Sequence, residues 1–263
     1  MMLSPFMKQK NKYLSAVALV IYLIANSSWS QDKGDGSSKK ANFSFGIAYT
    51  SGASVYVGSK SKSRLVPYLS YESEKIRINL QEGLTYKTLK RPNYSLDVSF
   101  APNFRPYKSG DSVALSEMRR YMTLDGLVSA SYEIARGLDA KLETGTELTK
   151  KFNGQKVDLS LSQFIPLFGI PVIFKGGATW YDKNRAQYFY GVYENEATAE
   201  WPTYDVGSIV IPYLSVNAFY GLKSNVTIFA NLNTKIFPLK ISNSPIVDTT
   251  SSLGMVVGIG YTF

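Results

Sequence analysis

Four carboxylates fall in one stretch of the chain, Asp182, Glu194, Glu196 and Glu200. Acids gathered in this way can divide general acid and general base work between them, or hold a divalent cation. The rest of the inventory narrows that chemistry. Among 263 residues there is no histidine and no cysteine, which excludes thiol nucleophiles, serine–histidine catalysis, disulfides and His/Cys zinc sites. Histidine, with an unperturbed pKa of about 6.5, is the usual proton carrier at neutral pH. A solvated loop explains the same four acids without catalysis. The reading is therefore a non-enzymatic protein with no catalytic residue, no metal and no other cofactor assigned.

Two nearby runs are candidates for binding rather than chemistry. Tyr188, Tyr190 and Gly191, followed by Glu196, Trp201, Pro202 and Tyr204, read as a structured loop packed across an opening. Pro245 fixes the backbone and Asp248 can cap a turn in a second loop.

The elements that must position these loops are strands. Beyond residue 40 the sequence alternates apolar and polar residues in segments of 10 to 15 residues, with no long helical period. Val226, Ile228, Ala230, Leu232 and Ile236 share one parity, while Thr227, Asn231, Asn233 and Lys235 share the other. Successive strand side chains point to opposite faces, so each segment has an apolar face and a polar face. Strands of soluble domains run to about 5 to 6 residues, whereas a tilted membrane-crossing strand needs about 9 to 11. With 14% aromatic residues, 19 of them Tyr, the expected fold is all-β: a transmembrane antiparallel barrel with aromatic girdles. Tyr94, Tyr121, Tyr132, Trp180, Tyr181, Tyr220 and Tyr261 are the girdle candidates.

Eleven strands are predicted, over 42–50, 63–72, 74–88, 92–105, 119–134, 137–152, 155–166, 169–181, 207–221, 223–237 and 250–263. Bacterial single-chain barrels have an even number. Glu82 interrupts the apolar face of Ile76, Ile78, Leu80, Leu84 and Tyr86, so a bulge or break near Gly83 gives twelve strands, while merging the first two segments gives ten. Twelve is the preferred count. Long connections at 106–118, 182–206 and 238–249 then face outward from the cell, and short turns face the periplasm. Lys150, Lys151, Lys156, Lys183 and Arg185 are expected at the outer rim, where lipopolysaccharide phosphates are available partners. Lys87, Lys90 and Arg91 are expected to face the periplasm. The scattered charges do not make a nucleic-acid surface.

At the N-terminus, Lys8, Lys10 and Lys12 precede an apolar run from Tyr13 to Ala25 and small residues at Ser28 and Ser30. This is the pattern of a cleaved signal peptide over 1–30, with a flexible leader over 31–41 and the barrel over 42–263. Cleavage removes three lysines and no acid, leaving 26 basic against 20 acidic residues, a net charge of +6. The final segment carries Val257, Ile259, Tyr261 and Phe263 on one parity. It resembles the C-terminal strand of bacterial outer-membrane proteins, which the barrel-assembly machinery reads.

Several local patterns resemble the MltA-interacting protein (MipA)/OmpV family of Gram-negative outer-membrane proteins. They are Tyr56 and Gly58 followed by Pro67-Tyr68-Leu69-Ser70-Tyr71; Tyr188-Phe189-Tyr190-Gly191-Val192 with Glu196-Ala197 and Trp201-Pro202-Thr203-Tyr204; and Ser244-Pro245-Ile246-Val247-Asp248. Trp201 departs from the arginine expected before that proline. The resemblance covers roughly 43–263. It implies an outer-membrane barrel in contact with lipid and lipopolysaccharide, able to link a murein transglycosylase to a murein synthase. A narrow porin-like channel for small solutes and a surface adhesin are the alternatives.

Overall fold

The structure, a computed structural model, describes residues 41–80 and 82–263. The expected signal peptide and nearly all of the leader lie outside them. Twelve antiparallel strands close into a barrel: β1 Asn42–Gly52, β2 Lys62–Glu72, β3 Ile76–Asn79, β4 Gly83–Lys90, β5 Tyr94–Asn103, β6 Thr123–Ala135, β7 Leu138–Glu147, β8 Gln155–Leu167, β9 Ile170–Tyr181, β10 Ile209–Lys223, β11 Val226–Ile236 and β12 Ser251–Thr262. Each strand pairs with its sequence neighbours, and β1 pairs with β12 from Ser44↔Thr262 to Gly52↔Gly254. Helix α1 covers Lys183–Tyr190, and a short α2 covers Leu239–Ser242.

The predicted 74–88 segment is broken where Glu82 spoils its parity. Asn79 receives the Glu82 amide on its Oδ1 at 2.6 Å, and Gly83 takes φ +81 to start β4. That φ suits glycine, and there is no room for more, because a Cβ on Gly83 would sit 2.0 Å from the Phe100 carbonyl oxygen. Other expected boundaries move by a few residues. Residues 119–122 and 148–152, predicted as strand, belong to loops; at the second, Glu147 draws the chain away from the wall by accepting the amides of Thr149, Lys151, Phe152 and Asn153.

The alternation is realised as two surfaces. Phe45, Ile47, Leu65, Leu69, Leu84, Phe100, Leu142, Leu159, Leu161 and Ile259 are exposed on the outer wall, as a lipid-facing belt requires. Tyr94 and Tyr132 pair across β5 and β6 at the girdle, and Tyr220, on the same outward parity as Leu214, packs against Ile170 and Val172 near the periplasmic turns; Tyr181 instead packs into the loop cluster described below. The inward parity is polar and paired. Glu143 bridges Lys141 and Lys156 at 2.7 and 3.0 Å, and Asp158 accepts from Thr179 and Tyr213 at 2.7 and 2.9 Å. These groups line a cavity of about 350 Å³ with Lys175 and Lys235.

Glycines of β12 make room inside the lumen. A Cβ on Gly258 would meet the Phe229 ring at 2.4 Å, and one on Gly260 would meet Tyr68 at 3.1 Å. Phe229 and Tyr68 pack together with ring centroids 4.6 Å apart. The substitution Gly258→Val therefore overpacks a closed wall, at a cost of about 1–3 kcal/mol. Its expected signature is a lower temperature for the folded-to-unfolded mobility shift on gels.

The β3–β4 hairpin is the irregular part of the wall. These strands have 4 and 8 residues, against 10 to 15 in the others. The β2–β3 ladder covers only Ser70, Tyr71 and Glu72 of β2, and β4 pairs with β5 no higher than Leu84↔Phe100.

Candidate functional site

The loops at the end of the barrel opposite Asn42 and Phe263 fold into one cluster that caps the barrel. Its buried core draws Tyr56 from the first loop, Tyr107, Leu115 and Met118 from the third, Ala186, Tyr190, Val192 and Val206 from the long 182–208 connection, and Phe237, Ile241, Ile246 and Val247 from the last. A short bridge, Tyr56↔Val247, ties the first loop to the last, and another, Val192↔Tyr204, folds the 182–208 connection on itself. Long loops at this end and short turns at the other identify it as the outer mouth.

Two buried ion pairs hold the cap. Arg120 donates to both carboxylate oxygens of Glu196, with Nη2–Oε2 at 3.0 Å, and its Nε donates to the Tyr188 carbonyl at 2.6 Å. The rings of Tyr107, Tyr188 and Tyr193 surround its guanidinium at 5.3 to 5.6 Å. Burial is the largest influence and works against the Arg120 charge, but the hydrogen bonds to Glu196, together with the electrostatics of Glu196, Tyr107 and Tyr193, outweigh it and raise its pKa. Burial also holds the Tyr107 and Tyr190 hydroxyls well above the usual tyrosine range, so both stay protonated. The second pair joins cap to wall: Arg185 Nη2 donates to Asp125 Oδ1 at 2.6 Å, with the guanidinium stacked near Phe152 and Tyr181.

The sequence allows this geometry locally. Asp182 starts α1 by accepting the Arg185 amide at 2.9 Å, which satisfies one of the free N–H groups of the first turn. Gly191 ends it, with its amide on the Gln187 carbonyl at 2.9 Å. Glu147 accepts the amides of Thr149, Lys151, Phe152 and Asn153, which folds the 148–154 loop around one carboxylate.

The sequence-predicted residues divide into groups. Tyr188, Tyr190, Gly191 and Glu196 converge in the cap. Tyr204 joins it by donating to the Lys240 carbonyl at 3.1 Å, and Trp201 packs on its edge. Pro202 and Asp248 are exposed, and Pro245 is half-buried in the last loop. Val257, Ile259, Tyr261 and Phe263 lie at the closing strand, where Phe263 stacks on Phe45 at 5.6 Å. The four carboxylates do not form one site: Asp182 caps a helix, Glu196 is paired with Arg120, and Glu194 and Glu200 are exposed. Among the described residues there is no group of three or more metal-ligating side chains.

Two expected rim cations are elsewhere. Arg185 is buried on Asp125, and Lys156 points into the lumen on Glu143, because each is drawn inward by a carboxylate of the wall. Arg120 and Tyr107, which help organise the cap, were not singled out from sequence. Arg120 lay in a segment predicted as strand.

Removing either partner of the Arg120–Glu196 pair leaves a buried charge unpaired, a loss of about 3–5 kcal/mol. Glu196→Ala is expected to expose the 182–208 connection to proteolysis while the barrel keeps its folded gel mobility.

The model of the family described as MltA-interacting protein MipA matches residues 45–263. Relatives in Escherichia coli O157:H7 and Escherichia coli K12, each named "Putative outer membrane protein YiaT", are 23% identical over 230 residues, covering 86% of this chain and 93% of theirs. Among solved structures, the NanC porin aligns with TM-score 0.42 and 10% identity over 82% of this chain and 98% of its own. The CymD monoaromatic hydrocarbon channel aligns with TM-score 0.39 and 8% identity over 86% and 88%. With a closed twelve-stranded wall, an apolar belt and a family match over most of its length, the chain is an outer-membrane β-barrel that belongs to the MltA-interacting protein MipA family.

Proposed function

We propose that the protein is a non-enzymatic docking platform, presenting its periplasmic end to a murein transglycosylase and through it to a murein synthase. The observation that carries this reading is Phe168. It sits with Gly169 in the two-residue turn between β8 and β9, at φ +51, with its ring 97% exposed. A turn with two positive φ values favours Asn-Gly, and a bulky residue there is an outlier. An aromatic that costs stability in its backbone and meets only solvent in the free chain fits an anchor for a partner, since aromatic side chains dominate interface energetics. Exposed Lys75, Lys90, Arg91, Arg136 and Lys223 share this end of the barrel, which suits a partner with an acidic face.

Two further points support docking over transport. The family description names an interaction with MltA, and the cap packs a buried core across the outer mouth.

The test uses Phe168→Asn, which relieves the strained turn and removes the ring. The barrel is expected to be as stable or more so, while recovery of murein transglycosylase from solubilised envelopes falls by roughly tenfold or more, the scale of an aromatic hot spot. If the unaltered protein recovers no transglycosylase, docking is wrong. In a planar bilayer the intact protein is expected to be silent, and steady conductance would favour the narrow channel instead.

A further inference from the structure

The wall between β2 and β5 does not close above the short hairpin. Ser73 donates to the Ile76 carbonyl, so Ser73 and Ile76 form a hydrogen-bonded pair. Antiparallel alternation then turns the backbone groups of Tyr71, Leu69, Pro67 and Leu65 toward the β3 side. Only Tyr71 meets β3 there, opposite Ile78. On the far side, Lys87 donates to the Lys75 carbonyl, which directs odd β4 residues to β3 and even ones to β5. Val98 and Phe100 meet Tyr86 and Leu84, and Pro102 is the next β5 residue of that series, beyond the end of β4. The gap is thus framed by Pro67 and Pro102, two residues with no N–H to leave unpaired. No ladder joins β2 to β5.

The opening has a closed frame. Its lower edge is the top of the β3–β4 ladder, at the Asn79↔Gly83 pair. Its upper edge is the third loop, which leaves β5 and is fastened to the top of β2 by Lys62 Nζ on Asp111 Oδ2 at 2.5 Å. Along β2 it runs for the seven residues from Ser63 to Leu69, about 23 Å at a strand's rise per residue. The outer side is apolar, with Leu65 67% exposed and Leu69, Phe100 and Phe104 also exposed. Inward parity carries Arg64, Val66 and Tyr68 on β2 and Arg77 on β3. Arg77 Nε is buried without a hydrogen-bond partner; Glu82 lies 3.7 Å from it, and Glu72, opposite Arg77 across the β2–β3 ladder, is held by Lys87. Asp111, at the upper edge, is held by Lys62 and the Lys108 amide.

We propose that this gap is a lateral window through which an anionic amphiphile of the outer leaflet places its headgroup in the lumen while its acyl chains stay in the membrane. Free carbonyls and amides cannot face hydrocarbon without a large cost, and a hydrated, hydrogen-bonding headgroup satisfies them. Arg64 and Arg77 favour a negative charge, and the exposed leucines and phenylalanines favour its chains. Addition of a peptide strand to the same edge is opposed by the two prolines.

The absence of native cysteine makes the test direct. Single variants Val66→Cys, at the window, and Ser215→Cys, on the lumen side of β10, are reconstituted in liposomes containing phosphatidylethanolamine with a maleimide on its headgroup. Folded gel mobility is checked for each. Val66→Cys is expected to gain the mass of one lipid, and Ser215→Cys to remain unmodified. Adding Arg64→Glu to Val66→Cys is expected to slow the coupling by about tenfold, as reversal of a steering charge does. Equal coupling of the two cysteines, or none at Val66→Cys, would overturn the window. Coupling indifferent to Arg64→Glu would overturn its assignment to an anionic headgroup.

Discussion

A backbone that crosses hydrocarbon must satisfy its own hydrogen bonds, and that requirement organises this molecule. It demands the β1–β12 closure and with it the even strand count. It also sorts the side chains, since a closed wall leaves one face to lipid and the other to a confined interior. Inside, water is scarce and charges need partners. The chain supplies them within the wall itself, Glu143 between two lysines and Asp158 between two hydroxyls. The β3–β4 hairpin is where the rule is relaxed, and prolines stand at that edge because they have fewer groups to satisfy.

The cap answers a different problem. Loops of this length cannot be specified by apolar packing alone, because their surfaces also face water. Here direction comes from buried polar contacts. Arg120 reads three carbonyls and a carboxylate at once, and Ser244 donates to the Tyr190 carbonyl at 2.6 Å, joining the last loop to α1. Each such group is expensive to bury without its partner, so alternative loop arrangements are disfavoured. The aromatic rings around them exclude water and strengthen the pairs further.

The wall was legible in the sequence because its signal is periodic and local. Even the break at Gly83 could be placed, since Glu82 falls on the wrong parity of an otherwise apolar face. The cap was legible only as a set of residues. Tyr188, Tyr190, Gly191 and Glu196 were marked by composition and family pattern, but their partners lie far away in sequence: Arg120 is 76 residues from Glu196, and Asp125 is 60 from Arg185. Such pairings have no period. Arg120 itself was hidden by neighbours that alternate like a strand, and Arg185 looked like one more rim cation until Asp125 was seen beneath it.

The seam between β1 and β12 joins the two ends of the barrel sequence. The hydroxyls of Ser44 and Thr262 meet at 2.8 Å across 218 residues, and Phe43, Phe45, Tyr261 and Phe263 stack beside them. Contacts of such long range are the slowest to form, because a large loop must close before they give any return. Until that seam is made, β1 and β12 are bare edges open to wrong pairing. Once closed, the wall has no terminal strand of the sheet from which unzipping can start, so the aromatic seam acts as a kinetic latch that governs how long the barrel persists as well as whether it forms.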